Sequence, residues 1–348
     1  MKRMAAVWLI VCCAVLGGCS MLPGEERAFP VCLGLHHAGG TWQACVRIST
    51  YTDPGEYMTV SADGSSLAEA MTLLDASAPI RLHYGQVRLV ILSRELASSD
   101  QLTAVLDSLN KLGEFRADAM LCVTEDDLPS LMDEMKPSSG TRLSKFLEVL
   151  LDSRIGQGII PDTTLGTYRR QGERQSLTLI PIALAGDRLS AQGMQTLPQN
   201  MPDGMKLQLA GAYLVSQEGR VTGQLNAYEH QLLRLMQGKL AKGALTTDEY
   251  SLTLLESSAD VHLNDKAALL TIRLRFRHSD QSEDGVREHV TEDVAGVIGK
   301  LAAANCDALG LGRQAILASR DWAGWQAIDW PHAYPALEWQ VAVQAESA

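Results

Sequence analysis

Apolar and polar positions alternate between strand-like and helix-like segments along the first half of the chain. Two continuous apolar runs, VRLVIL (87–92) and ADAMLCVT (117–124), are typical of strands that are covered on both faces. Ser66 and Glu69 form a capping box, which predicts that a helix begins there, and Asp100 precedes a second amphipathic helix. Strands that alternate with helices indicate a sheet with helices packed on it.

A β-hairpin is predicted at the start of this region, within FPVCLGLHHAGGTWQACVRIST (29–50), with its turn at Ala38-Gly39-Gly40. A turn centred between residues 38 and 39 places Cys32 directly opposite Cys45. Side chains opposed in this way have their Cβ atoms about 4.5–5.5 Å apart, which suits a disulfide. The hairpin therefore makes Cys32 and Cys45 a candidate disulfide pair. The alternative is two free thiols on a strand face.

A segment without clear periodicity divides the chain. We place a linker at 191–205, between an N-terminal α/β domain (19–190) and a C-terminal α+β domain (206–345). Beyond the linker the strands come in a group and the helices follow, and this order predicts an α+β fold with mixed sheets and helices packed on them.

The C-terminal half contains the clearest strand pattern of the chain. Three strands are predicted at about 249–256, 259–263 and 267–278. In the third strand every second residue is apolar and is expected to face inward, namely Leu270, Ile272, Leu274 and Phe276. A helix from Val286 to Ala304 and a second near 307–320 follow, and the chain closes with a strand in ALEWQVAVQA (336–345).

The N-terminus has the pattern of an export signal. Lys2 and Arg3 precede the apolar run AAVWLIVCCAVL (5–16), and two glycines follow, as in a secretory signal peptide over residues 1–18. The apolar run is shorter than the roughly 20 residues that span a bilayer. We therefore expect the chain to be exported across the membrane.

The signal ends on a lipobox, Leu16-Gly17-Gly18-Cys19. The sulfur of Cys19 is the nucleophile that takes a diacylglyceryl group, and Leu16, Gly17 and Gly18 are the recognition residues of the signal peptidase. Two or more acyl chains on Cys19 would anchor the mature protein stably, whereas one chain gives marginal binding. The alternatives are an uncleaved signal anchor and a cysteine that stands there by chance.

The acidic net charge of the chain restricts the kinds of molecule that it could bind. Lys2 and Arg3 are the only charged residues among 1–18, so the net charge changes from −11 for the whole chain to −13 for residues 19–348. An acidic body argues against nucleic-acid binding, which needs a basic face. It is also repelled by anionic lipid, so we expect it to stand off the membrane surface.

No motif predicts a catalytic or metal site. Ser108 and Lys111 match the S-x-x-K pattern of some acyl-enzyme hydrolases, but the other motifs of those enzymes are absent from the chain. His36 and His37 are adjacent and would point to opposite faces of a strand, so they cannot share a metal ion. Acidic residues in the loop 278–285 do not have the spacing of an EF-hand.

Several stretches together resemble the C subunits of Ger-type spore germinant receptors, the GerAC family. The lipobox and the N-terminal hairpin come first. The other elements are SLAEAMTLLDASAPIRLHYGQVRLVILSRELAS (66–98), LAGAYLVSQEGRVTGQLNAYEHQLLRLMQGKL (209–240) and DALGLGRQAILASRDWAGWQAIDWPHAYPALEWQVAVQA (307–345). Their order and spacing cover nearly the whole chain after the signal.

The resemblance implies a lipoprotein on the outer face of the spore inner membrane, required for receptor assembly or signal coupling during germination. Its partners would be two integral-membrane subunits, an A subunit and a transporter-like B subunit, and the bilayer through acylated Cys19. The family is not known for enzymatic activity, and it offers no catalytic residue or cofactor. Its three α+β domains imply that the C-terminal half divides into two.

Two other functions are kept as alternatives. A lipoprotein that captures a solute for a transporter would need a large two-lobed cleft, and a tethered envelope hydrolase would need titratable residues clustered in a pocket. The tryptophans at 322, 325, 330 and 339 also allow two interpretations. Core packing is the default for such residues, and a binding surface is the alternative.

Overall fold

The computed structural model describes residues 27–49, 56–137, 141–171, 176–184, 207–246, 250–264, 267–277, 281–319 and 328–348. The strands are β1 (Arg27–Ala28), β2 (Pro30–Ala38), β3 (Thr41–Ser49), β4 (Tyr57–Gly64), β5 (Arg81–Leu82), β6 (Leu89–Ser93), β7 (Met120–Thr124), β8 (Thr178–Leu184), β9 (Leu207–Leu209), β10 (Ala212–Val215), β11 (Val221–Leu225), β12 (Gly243–Thr246), β13 (Ser251–Asn264), β14 (Ala267–Arg277) and β15 (Glu338–Ser347).

Helices alternate with these strands in the first half of the chain, whereas in the second half one helix separates two groups of strands and three helices precede the last strand. The helices are α1 (Leu67–Ser77), α2 (Arg94–Ala97), α3 (Gln101–Leu112), α4 (Leu128–Asp133), α5 (Leu143–Gly156), α6 (Leu165–Gln171), α7 (Ala227–Met236), α8 (Glu283–Ala303), α9 (Leu311–Ala318) and α10 (Trp330–Ala333). Mixed sheets with helices packed on them confirm the predicted α+β class.

A nine-stranded sheet organises the first part of the fold. Its order is β11-β10-β8-β7-β6-β2-β3-β4, and β9 pairs with β8 beside β10. Strands β2, β6, β7 and β8 run parallel at its centre, and antiparallel strands flank them. The sheet contains strands from both sides of the linker that the sequence places at 191–205. Strands β9, β10 and β11 follow that linker and pair within this sheet. The division into domains stays a prediction.

Both faces of this sheet are covered, as the continuous apolar runs predict. Val90 and Leu92 pack under α3 on one face, and Leu89 and Ile91 pack under α4 and α5 on the other. All four side chains are fully buried. This two-sided burial explains why β6 lacks the alternation of a half-exposed strand.

A second sheet, with the order β12-β13-β14-β15, carries α7 and α8 on one face. The predicted inward residues of β14, Leu270, Ile272, Leu274 and Phe276, are buried there. The two strands predicted at 249–256 and 259–263 are one continuous strand, β13, so that prediction is wrong. A bulge between Leu254 and Glu256 interrupts the alternation but not the pairing with β14, which is why the sequence suggested a break.

Helix α7 joins the two sheets. His230 is 1% exposed, and its Nδ1 lies 2.7 Å from the carbonyl oxygen of Gly158, just beyond α5. One turn later, Arg234 forms an ion pair with Asp162 at 3.1 Å. The two polar contacts fix α7 against the loop that follows α5, and they give the buried imidazole a defined role in holding the fold together.

Candidate functional site

The predicted anchor, Cys19, and the signal-peptidase residues Leu16, Gly17 and Gly18 lie outside the described residues. The first described strand is β1, whose Arg27 and Ala28 pair in parallel with Arg81 and Leu82 of β5. No helix within the described parts of the chain has the length and apolar character needed to cross a bilayer. Lipidation at Cys19 therefore stays a prediction from the sequence.

The candidate disulfide is wrong. Cys32 lies opposite Arg47 and Cys45 lies opposite Gly34, so the two cysteines are diagonal neighbours, and both are free. The register differs from the predicted one because Ala38 pairs with Thr41 and the turn is formed by Gly39 and Gly40. Both glycines have positive φ, 58° and 81°, as a two-residue hairpin turn requires.

The cysteines of the hairpin belong instead to a sulfur-rich core beneath α4. The Cys32 thiol contacts the Met135 sulfur at 3.7 Å, and the Cys45 thiol contacts the Met132 sulfur at 3.5 Å. Cys122 on β7 packs in the same core. Burial raises the pKa of the Cys32 thiol to about 12 and also raises the pKa of Cys45 and Cys122, so these thiols are held in the unreactive protonated form.

This arrangement predicts the behaviour of the thiols in solution. In a protein of residues 20–348 that is exported behind a cleavable signal, we expect the native state to resist a thiol reagent, because all four described cysteines are buried. Denaturation without reductant should expose four reactive thiols, namely Cys32, Cys45, Cys122 and Cys306. Mass spectrometry after alkylation is the measurement. Two labelled thiols instead of four would show that a disulfide forms after all.

A buried arginine ties the same region together. Arg47 is 1% exposed, and its Nη1 donates to Thr59 Oγ1 at 2.8 Å and to Asp133 Oδ1 at 2.9 Å. It thereby links β3, β4 and α4. The sequence did not predict this pair, because a single arginine within a β-strand pattern carries no signal for a partner 86 residues away.

Polar side chains gather at the carboxyl ends of the parallel strands, where α/β sheets usually place their sites. His36 lies near the end of β2, and its Nδ1 lies 2.8 Å from the Ser93 hydroxyl at the end of β6 and 3.8 Å from a Glu95 carboxylate oxygen. A catalytic triad places the serine and the acid on opposite imidazole nitrogens, whereas here both approach the same one. The Ser93 hydroxyl also accepts the Leu96 N–H, so it caps α2.

The same edge continues toward β10. The Arg94 guanidinium lies over the Tyr213 ring, 4.7 Å from its centroid, and the Tyr213 hydroxyl donates to Glu125 at 3.1 Å. Burial, followed by the Glu125 carboxylate, raises the pKa of Tyr213. These contacts secure the start of α2 against the neighbouring strands. The position of Ser93 after a buried apolar strand was the only sequence signal for this cluster.

A groove of about 650 Å³ lies between α1 and α3. Leu67 and Met71 form one wall, Ser108 and Lys111 stand on the other, and Leu82 lies in the lining beside β1. Ser108 donates its hydroxyl to the carbonyl of Ala104, one turn earlier in α3, so the S-x-x-K pair of the sequence forms no activated nucleophile. The groove lies between two helices on one face of one sheet, and it is not a cleft between two lobes.

The described tryptophans favour the core interpretation. Trp330 is buried, and its Nε1 donates to Asp307 at 3.3 Å. Asp307 also accepts the backbone N–H groups of Leu311 and Gly312 at the start of α9, while its burial raises its pKa. Trp339 is partly buried against the second sheet's core. Trp322 and Trp325 lie outside the described residues.

Candidate metal ligands do not converge in the described part of the chain, where no group of three or more histidine, cysteine, aspartate or glutamate side chains could hold an ion. His37 stacks on Trp42, with ring centroids 4.3 Å apart, while His36 turns toward Ser93. The two histidines therefore point apart, as their adjacency predicts. Part of the acidic loop at 278–285 lies outside the described residues.

Comparisons with known protein families and solved structures show what this chain is similar to. Residues 24–183 match the family described as the spore germination protein N-terminal domain. Among solved structures, the chain is similar to one described as the crystal structure of the GerBC protein, with 13% sequence identity and a TM-score of 0.50. That match covers 90% of this chain and 96% of the other. The comparison with curated proteins found no match.

These findings agree with the order of elements on which the resemblance rests. The family match extends from the residues before β1 to Ala183 within β8, and so includes the sulfur-rich core, the Arg47 contacts and the parallel strands. The likeness to GerBC covers more of the chain than the family match does, and at this identity it shows the fold. Residues 24–183 therefore belong to the family of spore germination protein N-terminal domains, and the chain as a whole has a fold similar to that of the GerBC protein.

Proposed function

We propose that this protein is the lipid-anchored C subunit of a spore nutrient germinant receptor. It acts in assembly or signal coupling rather than in catalysis, with two integral-membrane subunits as its partners. The observation that carries this proposal is the family match over residues 24–183. Acylated Cys19 would hold the folded body on the outer face of the spore inner membrane.

The geometry supports a role as a folded assembly part. The polar cluster at His36 and Ser93 caps the first turn of α2. The described thiols are buried and protonated. The net charge of −13 after the signal repels anionic lipid, so an acidic body would stand off the bilayer and present its surfaces to partner proteins. Arg27 follows Cys19 by only eight positions, a reach of at most about 29 Å.

Deleting the gene in the sporulating host tests the role. We expect spores without this protein to lose dipicolinic acid release in response to one set of nutrients. The same spores should still respond to a trigger that bypasses the nutrient receptors, because the release machinery remains intact. Normal release for every nutrient tested, in a strain without paralogous receptors, would contradict the proposal.

The anchor is tested by a matched pair of cysteine substitutions in the same strain. Cys19→Ala should abolish acylation, measured by incorporation of labelled palmitate, and should reduce nutrient-triggered release. Cys13→Ala is the control, because it removes a cysteine from the same signal without touching the lipobox. Equal labelled palmitate in the two variants would show that Cys19 is not the acylated residue.

Solute capture remains the second candidate, because the groove between α1 and α3 has the size of a small-molecule site. Calorimetry with the purified protein and the nutrients that trigger release distinguishes the two. A C subunit that couples a signal should bind none of them measurably, whereas a solute-binding lipoprotein should bind at least one.

A further inference from the structure

Strand β15 forms one edge of the second sheet and is ten residues long. It runs parallel to β14 over its whole length, from the Ala267–Glu338 pair to the Phe276–Ser347 pair. Within the parts of the chain that the structure describes, no strand pairs with its other side. Long edge strands carry a row of backbone groups that can pair with another chain, and most proteins shorten or cover them.

The direction of the peptide groups shows which of them are available. The N–H of Ala348 donates to the Phe276 carbonyl of β14, so the even-numbered residues direct their backbone groups inward. The odd-numbered residues direct theirs outward, and the N–H of Ser347 is bonded there by the Glu283 carboxylate at 2.7 Å. The outward peptide groups of 339–345 have no such bond from any described residue.

The side chains of β15 present a surface that a further strand could extend. Trp339, Val341, Val343 and Ala345 face the helix layer and are partly or fully buried, whereas the even-numbered residues are exposed. An added strand with alternating apolar and polar residues would place its apolar side chains beside this row. It would thereby continue the core under α8 and gain main-chain hydrogen bonds at the same time.

The charges on the exposed side disfavour a second copy of this chain as the occupant. In a fully overlapped antiparallel pair of two β15 strands, Ala342 would face Ala342 and Glu338 would face Glu346 at both ends. Like charges directly opposite each other destabilise a strand pair. Arg275 of β14 lies opposite Glu346 and offsets part of its charge, but Glu338 lies opposite Ala267. The pattern therefore suits a different strand with basic ends.

We propose that the outer edge of β15 is a docking site for an extended segment of a partner protein, added antiparallel as a further strand of the second sheet. The segment alternates apolar and polar residues and carries two basic side chains eight positions apart, opposite Glu338 and Glu346. This inference concerns the edge itself and holds or fails independently of the receptor role.

One substitution tests whether the edge accepts a strand. Glu338→Lys makes β15 complementary to itself, because the introduced lysine of one copy would face Glu346 of the other at both ends. We expect light scattering of the full-length protein in detergent to show a dimer for this variant and a monomer for wild type. The Glu338→Lys, Glu346→Lys double variant is the matched control and should return to a monomer, because lysine then faces lysine.

A pair of synthetic peptides tests the chemistry of the occupant. KVTVTVTVK places its lysines eight positions apart, and EVTVTVTVE reverses the charge. We expect the lysine peptide to bind the wild-type protein at least tenfold more tightly at low salt and to slow hydrogen exchange at Val341 and Val343. The double lysine variant should reverse the preference. A monomeric Glu338→Lys protein, together with equal binding of the two peptides, would overturn the proposal.

Discussion

Replacing Gly211 with alanine is expected to lower the free energy of unfolding by about 3–5 kcal/mol, a large part of the roughly 5–15 kcal/mol by which ordinary proteins are stable. Gly211 is buried between β9 and β10, and its φ of +84° lies in the left-handed region that glycine tolerates and other residues resist. A Cβ at this position would overlap the carbonyl oxygen of Leu225 and would lie 3.2 Å from the backbone of Asn226.

The space around Gly211 cannot adjust, because both obstructing groups belong to the backbone. Leu225 pairs with Ala212 in the sheet, and Asn226 caps α7 through a reciprocal contact with Glu229. The N–H of Gly211 is also bonded to the carbonyl of Ile159. Moving any of these groups would disturb the sheet edge and the helix together, so the clash adds to the cost of the φ angle.

Gly113→Ala is the matched control. Gly113 ends α3 with a φ of +66°, but it is exposed and a Cβ there would meet nothing within 4 Å. This variant should lose only the conformational term, about 1 kcal/mol. Urea unfolding of both variants, followed by circular dichroism, measures the difference. Equal losses for the two glycines would show that the backbone contact at Gly211 carries no energy.

The sequence predicts the elements of this fold better than their register. Apolar runs and capping residues locate β6, β7 and α1, because burial on both faces and satisfied helix ends leave local patterns. The disulfide prediction was wrong because it placed the centre of the turn one residue too early. The turn is formed by Gly39 and Gly40, since glycine tolerates the two positive φ angles and Ala38 does not. When the centre of a hairpin turn moves by one residue, each residue of one strand pairs with a residue two positions further along the other strand.

Long-range partners were beyond the reach of a single sequence. The ion pair between Arg47 and Asp133, and the contact between His36 and Ser93, join residues 86 and 57 positions apart. Nothing local marks either pair, because the sheet order decides which strand ends meet. The same reason explains the position of β10 and β11, which follow a weakly patterned segment and nevertheless complete the first sheet.

His230 is expected to make the protein acid-sensitive. Burial lowers the pKa of this imidazole from 6.5 to about 4, and the nearby Arg234 lowers it further, while the Gly158 carbonyl and Asp162 act in the opposite direction. The folded state therefore keeps His230 neutral where the unfolded chain already binds a proton. As the pH falls from about 6.5 to 4, the unfolded state binds more protons, and the free energy of unfolding decreases.

The size of this effect follows from the shift. A pKa difference of about 2.5 corresponds to roughly 3 kcal/mol of stability that is present above pH 6.5 and lost by pH 4. His230→Gln cannot bind the proton, so its stability should fall less steeply over this window, although the variant starts lower because it changes the contact with Gly158. Urea unfolding at half-unit steps from about pH 7.5 to 4 measures both curves. Parallel curves would mean that His230 takes up a proton in the folded state as easily as in the unfolded chain, and its burial would then not hold the imidazole neutral.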